Sequence, residues 1–120
     1  MKEYIDGNEL DKLVILWTSS ERDVAMHFAL MYPRVSKQHG WWDEVRVIIW
    51  GPSEKLLAED EELQLYIKAM LDNGVEILAC KGSANIYGVE EKLTSLGIEV
   101  IYMGEHLTKM IKSDWKVITV

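Results

Sequence analysis

Few residues of this 120-residue chain have the chemistry to do more than pack, and one of them is singular: Cys80 is the only cysteine. It closes the apolar run that opens the stretch VEILACKGSANIYG, residues 75–88. Val75 to Ala79 reads as a buried strand, Gly82 and Ser83 break the pattern, and Ile86, Val89, Leu93 and Leu96 then recur at helical spacing. Cys80 therefore falls in a strand-to-helix crossover, where open α/β sheets bind ligands. A thiol at that point lies near the first free N–H groups of the helix. Their partial positive charge lowers a cysteine pKa from its free value of about 8.5, and the neighbouring Lys81 pushes the same way. The thiolate so favoured is the form that attacks sulfur. The competing account is inert packing, since free cysteine is among the most buried residue types.

Other chemistry is thinly represented. Gly82 and Gly88 are not followed by the Lys and Ser or Thr of a P-loop, and the first strand carries no GxGxxG turn. Flavin or nucleotide binding is disfavoured, and no cofactor is expected. His27, His39 and His106 lack metal-ligand spacing, so no metal site is expected. His27 falls on the apolar side of its helix, which predicts a partly buried ring. Ser19, Ser53 and Ser83 have no nucleophile elbow around them, and helix capping accounts for their positions.

The elements that must position Cys80 follow from periodicity. Leu13 to Trp17 is a short apolar run ending in Thr18, Ser19 and Ser20, a strand buried on both faces followed by capping residues. Val24, His27, Phe28 and Met31 mark a helix reaching Gly40, with Pro33 predicting a break near Tyr32. Val45 to Trp50 is the second strand, closed by Gly51-Pro52 with Ser53 as the cap. Leu56, Leu63, Ile67, Met70 and Leu71 mark the next helical face. Asp60 takes a position where an apolar residue is expected, which predicts a restart there. Gly74 and Gly97 end helices, Ile98 to Met103 and Lys116 to Val120 read as strands, and Leu107, Met110 and Ile111 form one face of a short helix between them. Residues 1–12 read as a loose lead-in and 13–120 as one domain.

Near-continuous apolar strands alternating with helices predict a mostly parallel sheet of five strands covered on both faces, a three-layer α/β/α arrangement. Parallel geometry gathers the C-terminal strand ends along one rim. Thr18, Ser19, Ser53 and Ser83 thereby become candidate rim contacts beside Cys80 and Lys81. Strand order is not readable from the sequence.

Bulk composition narrows the function classes. Lys and Arg number 13 against 20 Asp and Glu, a formal net charge of −7, so there is no basic footprint for nucleic acid or an anionic membrane. A single cysteine makes no internal disulfide framework, and no apolar signal core or bilayer-length run appears; the chain reads as cytoplasmic. Five tryptophans need a home, and Trp41-Trp42 lies in a connector. An oligomer contact would cover both rings; alternatively one caps the core and the other lies on the surface.

The segments LVILWTS, GWWDEVRVIIWGPSEKLLAEDEELQ and VEILACKGSANIYGVEEKLTSLGIEVIYMGE resemble the DsrE/DsrF-like proteins, especially small stand-alone members, over nearly everything from Leu13 to Val120. The resemblance implies a three-layer α/β fold and assembly into homotrimers, hexamers or heteromers. It also implies, as in the family's sulfur-relay branches, a cysteine persulfide passed between donor and acceptor proteins. Cys80 falls on the relay position. Related small members often read C-K-x-C here, whereas this chain reads Cys80-Lys81-Gly82-Ser83, so no thiol pair forms within one chain. A persulfide carrier needs only one thiolate. The reading is a sulfur carrier or sulfurtransferase-like protein; the alternative is a non-catalytic oligomeric module binding a small ligand or protein partner at the same rim.

Overall fold

Each apolar run of the sequence forms a strand, and the strands assemble side by side. The computed structural model describes residues 12–120. The strands are β1 Lys12–Trp17, β2 Glu44–Ile49, β3 Glu76–Cys80, β4 Glu99–Ile101 and β5 Trp115–Thr119. All pair in parallel in the order β4-β3-β2-β1-β5. The expected parallel sheet with helices on both sides is present. Lys12, read as part of the lead-in, opens β1; the rest of that lead-in lies outside the described residues.

The strand order dictates where the helices go. From β1 to β4 the chain steps in one direction across the sheet, so right-handed crossovers put every intervening helix on one face. These are α1 Arg22–Val24, α2 Tyr32–His39, α3 Pro52–Glu59, α4 Glu61–Asp72, α5 Lys81–Tyr87 and α6 Glu90–Ser95. The return from β4 to β5 reverses direction and must cross on the other face, where α7 Gly104–Ile111 lies. Side-chain alternation divides the core accordingly. Leu13, Ile15, Trp17, Val45, Val47, Ile49, Ile77 and Ala79 pack under the six-helix layer, while Val14, Ile48 and Cys80 face α7 with Met103 and Met110. Leu16, Trp50, Leu78, Ile101, Trp115 and Val117 on the α7 side are only partly buried, because one short helix does not span five strands.

Several helical expectations change in detail. Between α1 and α2 the chain makes a π-helical turn, Ala25–Ala29, closed by the Leu30 N–H donating to the Ala25 carbonyl at 2.9 Å. The wider turn shifts the buried face to Ala25, Ala29 and Leu30. His27 is therefore exposed, not partly buried, and Met31 is turned outward. The break near Tyr32 occurs as expected, because Pro33 enters the first turn of a new helix, where its missing N–H costs nothing. Asp60 restarts the next helix by accepting from the Leu63 N–H at 3.1 Å, and Leu57 takes the buried place expected of Leu56. The helix expected from Ile86 to Leu96 is two, divided where Gly88 turns left-handed, and this leaves Ile86 83% exposed. Ile111 likewise points to solvent. Among the described residues no helix is long and apolar enough to cross a membrane.

Candidate functional site

Cys80 is the last residue of β3 and the N-cap of α5, and its register partner on β4 is Ile101. Past Cys80 the chain turns into α5 on the six-helix face. Past Ile101 it runs through Tyr102 and Met103 into α7 on the opposite face. Adjacent parallel strands whose connections leave to opposite sides open a crevice at their C-terminal ends, the general ligand position of such sheets. The thiol itself is 6% exposed and packs among Val14, Ile48, Met103 and Met110. A Cβ built on Gly82 would lie 3.8 Å from Cys80 Sγ, so the sulfur rests against the first turn of α5. Gly82 and Ser83 lie inside that helix, which starts one residue earlier than their break in the pattern suggests. The Lys81 ammonium is drawn to Glu90, 3.6 Å away, and lies 5.6 Å from the centre of the exposed Tyr102 ring.

The rim hydroxyls form a chain of internal ties. Thr18 donates both its N–H, at 2.7 Å, and its Oγ1, at 2.9 Å, to the Val120 carbonyl. Ser19 Oγ accepts from the Glu21 N–H at 3.0 Å. Ser53 was expected to cap a helix. Instead Gly51 is the N-cap and Ser53 lies inside α3, where its hydroxyl donates to the Trp17 carbonyl at 2.6 Å and lashes β1 to the β2–α3 turn. The Ser53 N–H donates to the Thr18 carbonyl at 3.1 Å. Gly51 adopts φ +85°, a conformation that L side chains rarely take, and this aims its N–H back into the rim. Ser83 does not cap α5 either; its hydroxyl donates to Glu54. Thr18, Ser53 and Ser83 are thus brought together as structural connectors, while the Cys80 thiol faces the opposite side of the sheet.

Glu54 is the residue that the sequence reading missed. It is fully buried, with Oε1 accepting from the Gly51 N–H at 3.0 Å and from the Ser83 hydroxyl, and with Oε2 buried and unpartnered. Burial pushes its carboxyl above the usual range, opposed by the hydrogen bonds from Ser83 and Gly51. The local signal was a glutamate three residues after the N-cap, as in a capping box. With glycine instead of Ser or Thr at the cap the signal is faint, and nothing local announces burial. Asp60 behaves oppositely: the hydrogen bond from Arg22 holds its carboxyl below the usual range.

The two connector tryptophans separate. Trp42 packs on the main core and donates from Nε1 to the Tyr32 hydroxyl at 3.2 Å, while Trp41 is 51% exposed and stacks on His39. Among the described residues no group of three or more His, Cys, Asp or Glu side chains is gathered to hold a metal ion.

The sequence profile of the DsrE/DsrF-like family matches residues 11–120. A search of curated proteins gives no match. Among solved structures the chain is similar to a conserved protein of unknown function from Bacteroides thetaiotaomicron, with a TM-score of 0.89 and 41% sequence identity. That likeness covers 92% of this chain and 95% of the other.

Proposed function

The chain belongs to the DsrE/DsrF-like family, which is associated with sulfur relay, and from that premise we propose that it is a sulfur carrier or sulfurtransferase-like protein working through a persulfide on Cys80. The observation that carries the proposal is the position of its single thiol, at the strand end where the β3 and β4 connections diverge. The Cys80 thiolate attacks the outer sulfur of a donor persulfide. A new S–S bond forms on Cys80, the donor's S–S bond breaks, and the donor leaves as a thiolate with no net oxidation. An acceptor nucleophile then takes the sulfur by the reverse exchange and regenerates the thiolate. With Ser83 where relatives often carry a second thiol, release requires another molecule. Lys81 provides positive charge at the mouth. Its pairing with Glu90 joins two side chains 39% and 36% exposed, and such pairs exchange easily with an incoming anion. The relay would operate in the cytoplasm, where thiols stay reduced.

Assembly is part of the same proposal: a homo-oligomer, trimer or hexamer, with Trp41 at the contact. Trp42 is occupied by its own core, which narrows the candidate to the exposed ring. Sedimentation equilibrium with Trp41→Ala tests this; a wild type that stays monomeric at high micromolar concentration removes the assembly.

One observation favours the second reading, a non-catalytic module binding a ligand or partner at the rim: the thiol is almost fully covered by apolar side chains. The deciding experiment is incubation with a cysteine desulfurase and cysteine, followed by intact mass. The relay predicts one added sulfur on wild type and none on Cys80→Ser. A wild type left unmodified by several persulfide donors turns the assignment to the binding module.

A further inference from the structure

A relay thiol must meet a partner's sulfur, yet Cys80 is 6% exposed, so something must open, and α5 is the element built to do so. It has seven residues, no side-chain cap, and a single buried side chain, Ala84. Ile86 is 83% exposed and anchors nothing. Gly82 in its first turn lies beside the sulfur, which a Cβ there would meet at 3.8 Å, and without that Cβ the backbone is less stiff. Few buried apolar contacts and an uncapped end are the marks of a segment that opens locally at low cost.

What holds the first turn down is polar. The Ser83 hydroxyl donates to Glu54 Oε1 and accepts from the Gly51 N–H at 3.1 Å, so α5 is tied to the start of α3 through one side chain. The anchor is rigid: Glu54 is fully buried, it also accepts from the Gly51 N–H, and the α3 that carries it buries Leu57 in the main core. The other polar tie of this turn, Lys81 to Glu90, runs to α6 within the same excursion of chain and is more exposed.

We propose that the hydrogen bond from Ser83 to the buried Glu54 carboxyl is a latch that sets how often the first turn of α5 opens and uncovers Cys80. The latch acts on the thiol without touching it, so Glu54 and Ser83 are positioning residues. Its functional meaning rests on the sulfur-relay reading, whereas its existence does not.

The test is alkylation of the folded full-length chain by iodoacetamide, in which the Cys80 thiolate displaces iodide, followed by intact mass at several sub-denaturing urea concentrations. Losing a hydrogen bond to a buried carboxyl should speed labelling of Ser83→Ala by about tenfold or more. Glu54→Gln keeps the acceptor oxygen and should stay within about threefold of wild type, because the bond survives without its charge. Glu54→Ala should also speed labelling, though by less than Ser83→Ala because the Gly51 N–H still reaches the Ser83 hydroxyl, and the double variant should be no faster than Ser83→Ala, which already lacks both ties. Opening of one turn exposes little surface, so labelling should depend on urea more weakly than global unfolding does. An unchanged rate in Ser83→Ala overturns the latch. So does an increase that follows global stability in both size and urea slope. If Glu54→Ala fails to fold, Ser83→Ala and Glu54→Gln still decide. No sulfur donor is involved, so a protein that refuses sulfur but labels faster in Ser83→Ala keeps the latch and loses the relay; the reverse result removes only the latch.

Discussion

The two faces of the sheet are covered by very different amounts of protein. Six helices lie over one face, and Leu57, Leu63, Ile67, Met70 and Leu93 are completely buried against Leu13, Ile15, Val45 and Val47. The other face has α7 alone, and around its buried Val14, Ile48 and Met103 lie five strand side chains that are only partly buried. Stability therefore resides mainly on the first face, while the thiol is placed on the second. Close packing resists change, so a group that must be uncovered is better housed where fewer atoms have to move.

The largest expected effect tests the first half of that contrast. Ile67→Ala removes a fully buried side chain beneath the densest layer and should cost about 3–4 kcal/mol in urea denaturation, with an unchanged m-value. Met110→Ala on the α7 side should cost less, about 1–2 kcal/mol, because its neighbours border solvent and can settle into the gap. That variant should also raise the alkylation rate of Cys80, whereas Ile67→Ala should raise it only as far as global unfolding does. Equal losses from the two substitutions would erase the distinction between the faces.

Two carboxyls sharpen the picture within the well-covered side. Asp60 caps α4 and is paired with Arg22, so Asp60→Ala should cost about 1 kcal/mol at neutral pH, read from the thermal midpoint. Its folded pKa lies below the ordinary 3.8, so this contribution is present above that value and is lost as pH falls through the folded pKa. Glu54 has the opposite sign. Its folded pKa lies above the ordinary 4.5, so the protonated form favours the folded state, and this group's contribution is fully present below 4.5 and is lost as pH rises through the folded pKa. Glu54→Gln should flatten that decline, the smallest of these effects. A urea midpoint that falls equally in wild type and Glu54→Gln across this window would show that the carboxyl has the same pKa folded and unfolded, which overturns the expectation.

Local order was legible to the extent that local physics controls it. Five apolar runs of strand length became five strands. Gly40, Gly74 and Gly97 end their helices as expected, each with positive φ. Cys80 was found at a strand end because an apolar run followed by glycine and serine marks that junction wherever it occurs. The sequence alone also excluded an internal disulfide, since Cys80 has no partner in the chain.

Tertiary structure decided the rest. The order β4-β3-β2-β1-β5 depends on which edge the last crossover reaches, a choice no single segment encodes, and it is this choice that sets β3 beside β4 with connections leaving to opposite faces. The side on which Cys80 lies follows from strand register and from one residue of difference at the strand's end, since alternate side chains point oppositely. Ser53 and Ser83 looked like caps because capping is a local motif. They are connectors because α3 and α5 meet in space over strands that parallel pairing brought together. Glu54 carried no mark of burial, because burial of a charged residue is imposed by what packs over it: a hydroxyl 29 positions away and a glycine whose left-handed turn aims an N–H at its carboxyl.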